Sequence, residues 1–491
     1  MRLLVIGLDG GDYKIIRRMP MPFLHSLLKK SGTTEIGVDL HSRGWVDIYT
    51  GLDATSHGGF YINPKLDGSH WFTMAYNHKH AKVCDSPPLW ERANARGLKV
   101  GFMNIPTTSP APKVDGFFVG GAGGGINSVE GVPRIMCDTS DTKALLDGAG
   151  YIPDLRIGPG GIDTAEQLFR QLDEVAKRRG EAFRQLCERH EPDLGFLAFR
   201  TTATAQYVAM HDISAVIRSH PGTEVIPEDS EHLSPVQRKV LSHFAVLDQV
   251  LRETFEQLSP SEWLFCSDHG MSEYRFNLNA NAFLSAKGFL TFKTSVQKEV
   301  DTRVSGVLAS LRYRKITAFD SLTSKFEPVP YNKAKTSAFT SWYCKGIFIN
   351  DEKRFGGPVK EEDVESLTQD IIKQFNDDPE AKNSGLKASE FRRRHPSSKV
   401  YDQIPDIKIE MPATFFPLGE GPFIWKNPNF KPLPEVITGL TDMNSGQKGE
   451  SALFLTSPGL QSFLPSSLND LTLVNRTISS YIESLAPPSE V

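Results

Sequence analysis

The sequence predicts an α/β protein: a mostly parallel central sheet with helices on both faces, plus an inserted cap region. Three observations predict it. Short apolar runs recur along the chain, stretches of helical spacing separate them, and one run ends directly in Asp9 while another reaches Asp268 after a single serine. Leu3–Leu8, Val100–Ile105, Leu194–Phe199 and Trp263–Cys266 are continuous or nearly so in apolar character, as strands buried on both faces are. Residues 88–96 and 164–189 carry helical spacing, and the latter places Leu168, Leu172, Val175 and Phe183 on one face. Strands alternating with helices give a parallel sheet covered by helices. In such sheets functional groups gather at the carboxyl ends of the strands.

Residues 1–290 read as this α/β core. Residues 291–435 differ, with the charge clusters Glu361-Glu362-Asp363 and Arg392-Arg393-Arg394 and many prolines near their end. They include a strand over 346–350 and a helix over 361–375, and read as a cap or insertion with some core elements. Residues 436–491 return the chain to the core, with a strand over 451–455. The basic cluster around Arg393 reads as a solvated face.

Composition limits the function. With 55 Lys+Arg against 59 Asp+Glu the net charge is −4, which excludes nucleic acid or an anionic membrane surface as the main partner, since both call for a basic face. No apolar stretch approaches the roughly 18–20 residues of a membrane span. The run after Met1 is too short for the core of a signal peptide. The five cysteines are scattered without a CxxC pair, which points to a reducing compartment. A cytoplasmic location is expected.

The two strand ends carry the chemistry. Asp9 follows Leu3–Leu8, and Asp268-His269-Gly270 follows 263–267. An unpaired charge at the end of a buried strand is costly. A lone Asp-Gly is ordinarily a turn or a helix cap, but two such ends in one chain, one of them Asp-His, point to metal ligation.

Three segments, in order, carry a family likeness: Ile6-Gly7-Leu8-Asp9-Gly10; Trp45 with Thr50-Gly51 and His57-Gly58; and Ser267-Asp268-His269-Gly270-Met271. With Leu89-Trp90, Asn104–Pro110 and Glu191-Pro192-Asp193 between them, they resemble the alkaline phosphatase superfamily. The branch they resemble is the type I phosphodiesterase/nucleotide pyrophosphatase-like and predicted phosphohydrolase/phosphomutase branch. The resemblance runs through roughly 1–290 and implies an alkaline-phosphatase-like core with two metal ions at the strand ends.

Carried over residue by residue, it places Asp9, Asp268 and His269 on the first metal, together with a Ser/Thr nucleophile. Counting back from Thr50-Gly51 puts the hydroxyl position at His41, and Ser42 stands one residue later. Ser42 is the expected nucleophile and metal ligand; the alternative makes it a cap for the helix around 45–49. The second metal fares differently. Its Asp-x-x-x-His positions hold Ala203 and Tyr207, and Gln447 stands where a final His is expected. His211-Asp212, one helical turn on, is a possible substitute. The resemblance thus implies one retained divalent ion, with a carboxylate and imidazole set that suits zinc, manganese or iron.

The expected function is a metal-dependent hydrolase or transferase acting on a small phosphate ester, phosphodiester or related anionic substrate. Arg200 or Lys448 would do the electrostatic work of the missing ion, and His41, Tyr207 and Gln447 would touch the substrate. The alternative is a catalytically degenerate relative that keeps the fold as a binding or partner module.

Overall fold

β1 (Leu3–Leu8) contains no polar side chain and is buried along its whole length. Side chains alternate between the two faces of a strand, so Leu4, Ile6 and Leu8 enter one core layer and Leu3 and Val5 the other. β2 (Glu35–Gly37), β3 (Val100–Met103), β4 (Gly116–Val119), β5 (Leu194–Phe199), β6 (Glu262–Cys266) and β7 (Ser451–Thr456) complete a seven-stranded sheet, ordered β2-β7-β6-β1-β5-β3-β4. From β6 to β4 the strands are parallel, with Val5 of β1 in register with Phe196 and Leu264 on either side. β7 runs antiparallel to β6 and to β2. The sheet is therefore mixed but mostly parallel, as the sequence predicts. β3 stops at Met103 because Asn104 takes a left-handed backbone conformation (φ 62°), which asparagine tolerates better than most residues.

The computed structural model describes residues 1–32, 35–83, 86–121, 135–155, 162–222, 224–228, 232–313, 329–437, 444–466 and 469–485. Cys84 lies outside the described residues.

Helices cover both faces of the sheet. α1 (Gly44–Thr50), α2 (Leu89–Ala95) and α6 (Thr472–Ser484) supply Trp45, Trp90 and Val474 to one layer, and α3 (Ala165–His190), α4 (Thr201–Ser219) and α5 (Pro235–Leu258) supply the other. Their limits are chemical. Thr164 caps α3 by accepting from the Gln167 amide, and α5 opens with a Ser234/Gln237 capping box and Pro235 in the first turn. α1 ends at Gly51, whose φ of 75° suits a residue without a Cβ.

The chain forms two compact units. The first, Met1–His57, Tyr76–Arg275 and Asn427–Val491, contains the seven-stranded sheet. The second, Gly58–Ala75 and Phe276–Lys426, has its own core and a four-stranded antiparallel sheet of Ala338–Phe339, Gly346–Ile349, Ile407–Glu410 and Lys387–Glu390. Its helix Val364–Asp377 follows a short 3-10 turn at Glu361–Asp363. Within it Arg392 pairs with Asp406 (3.0 Å), while the half-exposed Arg393 reaches Glu365 (2.5 Å). No helix of the described residues is long and apolar enough to cross a membrane.

Candidate active site

The parallel order β6-β1-β5 puts three strand ends side by side. β1 runs into Asp9, β5 into Arg200, and β6 into Ser267, Asp268 and His269; the Asp9 amide continues the ladder by donating to Phe199 O (2.9 Å). Asp9, Asp268 and His269 are buried, and one ligand atom from each lies within 4.8 Å of the others. Among the described residues this is the one such group of three or more His, Cys, Asp or Glu side chains.

The donor atoms fit a cation. His269 Nδ1 is 2.6 Å from Gly270 O, and a carbonyl can only accept, so Nδ1 carries a proton and Nε2 is the ring nitrogen left to face a cation. That Nε2 and Asp268 Oδ1 are buried without a hydrogen-bond partner, a costly arrangement unless something else binds them. Nε2 lies 3.5 Å from Asp9 Oδ1 and 3.4 Å from Asp268 Oδ2. One imidazole and two carboxylates are hard to borderline donors, suited to zinc, manganese or iron.

The electrostatics split the two acids. Burial opposes ionisation of Asp9, but the adjacent His269 ring and the charges of Arg200 and Lys448 outweigh it and hold the carboxyl below its usual range. Asp268 is pushed the other way, by burial and then by the neighbouring Asp9 carboxylate.

Two cations stand beside this group. Arg200 Nε is 3.9 Å from Asp9 Oδ2, and its Nη1 bonds Asp154 (2.6 Å). Burial disfavours the Arg200 charge, yet Asp154 and Asp9 raise its pKa above the ordinary guanidinium value. Lys448 lies on the strand Gly446–Gly449, paired antiparallel to Gly270–Glu273 with Lys448 opposite Met271, and its Nζ is 3.7 Å from Asp268 Oδ2. Gln447, also buried, pairs with Ser272 in the same ribbon. The Tyr207 ring centroid lies 6.5 Å from that of His269.

α4 carries Ala203 and Tyr207, and its first turn is close to the Asp9 turn. A Cβ on Gly10, whose φ is 70°, would sit 3.1 Å from Ala203 Cα. α4 bends at Ala209, where Ser445 enters its hydrogen-bond ladder: Ser445 Oγ donates to Val208 O (2.9 Å) and accepts from His211 N (3.2 Å). Past the bend, the His211 ring meets Phe430 (5.2 Å) and Asp212 accepts from Leu433 N (2.9 Å).

α1 reaches the group from the other layer. Trp45 Nε1 donates to Asp9 Oδ2 (3.1 Å), and a Cβ on Gly44 would lie 2.3 Å from Asp268 O, so only glycine lets the helix start so close. Two residues earlier, the buried Ser42 donates its hydroxyl to Asp47 Oδ1, an oxygen that also accepts from His57 Nε2 (2.7 Å). The cap residue of α1 is Arg43, without a side-chain capping bond. Burial raises the Asp47 pKa well above the usual carboxylate range and pushes His57 down to about 3. His41 Nδ1 bonds Asp39 (2.9 Å).

The structure thus gathers Asp9, Asp268, His269, Arg200 and Lys448 around one point and gives Ser42 a carboxylate partner. Sequence reasoning missed Asp47, Asp154 and the indole of Trp45. His57 was visible only as one letter of a motif.

A mostly parallel sheet with this ligand set at its carboxyl edge defines a member of the alkaline phosphatase superfamily. Residues 3–336 match the family described as Type I phosphodiesterase / nucleotide pyrophosphatase, and the chain belongs to that family of phosphoric-ester hydrolases. Its fold is similar to that of phosphonoacetate hydrolase from Sinorhizobium meliloti 1021, solved with phosphonoacetate and with phosphonoformate. The TM-score is 0.54 at 11% identity, over 98% of this chain and 95% of that one. Murine and human ectonucleotide pyrophosphatase / phosphodiesterase 5 align at 12% identity over 99% of this chain and 96% of theirs, with a TM-score of 0.46. No curated protein matches it in sequence.

Proposed function

We propose that the chain cleaves or transfers the phosphoryl group of a small phosphate ester, phosphodiester or related anion, using one divalent ion held by Asp9, Asp268 and His269. The observation that carries this reading is the pair of buried, unpartnered ligand atoms, Asp268 Oδ1 and His269 Nε2, beside the Asp9 carboxylate. An ion held there would supply Lewis-acid polarisation and a lowered pKa for the attacking hydroxyl.

The remaining work falls to side chains. Ser42 Oγ is the nucleophile, and Asp47 Oδ1, already its hydrogen-bond acceptor, takes the proton as the Oγ–P bond forms and the bond from phosphorus to the leaving oxygen breaks. A carboxylate with a raised pKa is the better acceptor, and neutral His57 steadies it through Nε2–H. Arg200 and Lys448 meet the charge on the phosphoryl oxygens from two sides, in place of a second ion. The Tyr207 phenol contacts the substrate or protonates the leaving oxygen, and His41 and Gln447 are further substrate contacts. Return of the phosphoryl group to water gives hydrolysis, and to a second hydroxyl gives transfer.

A second reading, a binding module without turnover, is favoured by one observation. Arg200 and Lys448 stand 3.9 and 3.7 Å from the two carboxylates and already offset part of their charge. Elemental analysis joined to turnover of a chromogenic phosphodiester separates the two. Bound metal with turnover supports the enzyme; a chain that stays metal-free after incubation with zinc, manganese or iron(II) supports the module.

A further inference from the structure

Asp9 is fixed from two directions by side chains that are not ligands. Its carboxylate accepts from Trp45 Nε1 at Oδ2 (3.1 Å), the oxygen that also faces Arg200. Oδ2 thus faces both the indole N–H and the guanidinium, and Oδ1 is the oxygen turned to His269 Nε2. Its main chain is held by α4. Thr202 Oγ1 donates to Asp9 O (2.6 Å), and Gln206 Nε2 donates to Gly10 O (2.9 Å) as well as to Thr202 O (3.0 Å). Thr202 and Gln206 are four residues apart, hence on one stripe of the helix, and each is 0% exposed.

Gln206 keeps this bond at a cost. Its Oε1 is buried without a partner, an arrangement that a residue serving packing alone would avoid by being apolar. What it secures is the Asp9-Gly10 turn, whose glycine has a left-handed backbone (φ 70°) and no side chain to anchor it. The face of α4 one residue on, at Ala203 and Tyr207, is where the family resemblance expects ligands of a second metal. The neighbouring stripe instead grips the turn that carries a ligand of the first.

We infer that Trp45, Thr202 and Gln206 are positioning residues of the metal centre, fixing Asp9 so that Oδ1 alone is offered to the ion. α4 thereby contributes to metal affinity without supplying a ligand. This inference rests on the one-ion reading above. Groups that orient metal ligands typically change affinity ten- to a hundredfold when removed.

The test is competition titration with Zn²⁺, and Co²⁺ absorption spectra, on the full chain and on Trp45→Phe, Thr202→Val, Gln206→Met and the conservative Thr202→Ser. Expected are losses of about tenfold or more in Zn²⁺ affinity for the first three, an altered Co²⁺ spectrum for Trp45→Phe, and near-native behaviour for Thr202→Ser. Melting of the metal-free proteins identifies any variant that fails to fold, and the others then carry the test. A wild-type chain that binds the ion while the folded variants bind it equally well, with unchanged spectra, overturns this inference alone. A wild-type chain that binds no ion overturns the one-ion reading as well.

Discussion

Lys448 Nζ stands 3.7 Å from Asp268 Oδ2, on a ribbon whose pairing partner begins at Gly270, directly after the Asp268-His269 pair. The ammonium therefore has two roles that pull apart. It neutralises a carboxylate proposed to hold an ion, and it is the charge proposed to meet the phosphoryl oxygens. Removing it separates them. In Lys448→Met the ion should bind severalfold more tightly, because a like charge is gone, while kcat falls by about 10²-fold for want of the cation in the transition state. Metal titration and steady-state kinetics on one preparation check both directions.

The second prediction concerns the nucleophile. Ser42→Ala should lower turnover by about 10³-fold or more and leave metal content unchanged, since the three ligands are elsewhere. Trapping of a phosphoryl-enzyme in the wild type, and its absence in the variant, is the direct readout. Full activity in Ser42→Ala would leave a water molecule as the nucleophile.

These two predictions separate what the sequence made legible from what it did not. Asp9, Asp268 and His269 were legible because each follows an apolar run with one structural reading: a strand buried on both faces, whose end needs a reason to carry charge. The core layers were legible for the same cause, and Leu168, Leu172 and Val175 of α3 fall where their spacing puts them. Asp47 was not. It sits in the middle of α1 and looks like a surface acid until the fold turns it onto Ser42 and His57. Asp154 becomes a partner of Arg200 across 46 residues of chain, a relation that no local pattern carries. The antiparallel insertion of β7 between β2 and β6 is equally silent, because an apolar run does not state its direction. Residues 58–75 join the second compact unit from far upstream for a similar reason: their ties, such as His70 to Asn350 (2.9 Å), are made across sequence.

That histidine gives a pH prediction. Asn350 Nδ2 donates to Lys333 O and Thr336 O, which leaves Oδ1 to accept from His70 Nε2–H. Nδ1 is then the acceptor for the Tyr331 hydroxyl (3.1 Å), and the ring stacks on Phe339 (4.3 Å). His70 is thus satisfied as a neutral ring, and burial pushes its pKa down from 6.5 to about 3. The unfolded chain takes up a proton below pH 6.5 and the folded chain does not, so stability is full above that pH and is lost as pH falls toward 3. At about 1.4 kcal/mol per unit, His70 accounts for ~2 kcal/mol lost by pH 5. Denaturant unfolding of His70→Gln at pH 7 and pH 5 should show a correspondingly smaller drop than the wild type. An equal drop in both would contradict the buried neutral ring.

Gly10 gives a structural prediction with a functional edge. Its φ of 70° and the 3.1 Å approach of Ala203 Cα to a Cβ position make Gly10→Ala doubly unfavourable. A loss of about 1–2 kcal/mol from the backbone alone is expected, with further loss from the contact. Because the turn carries Asp9, metal affinity should fall with it. Thermal melts with and without Zn²⁺ should therefore differ less in the variant than in the wild type.

The most direct test is elemental analysis of the purified chain after incubation with zinc, manganese or iron(II), set beside Asp268→Ala treated identically. About one ion per wild-type chain and none in the variant is the predicted result. A metal-free wild type, or equal metal in both proteins, would contradict a site built from Asp9, Asp268 and His269.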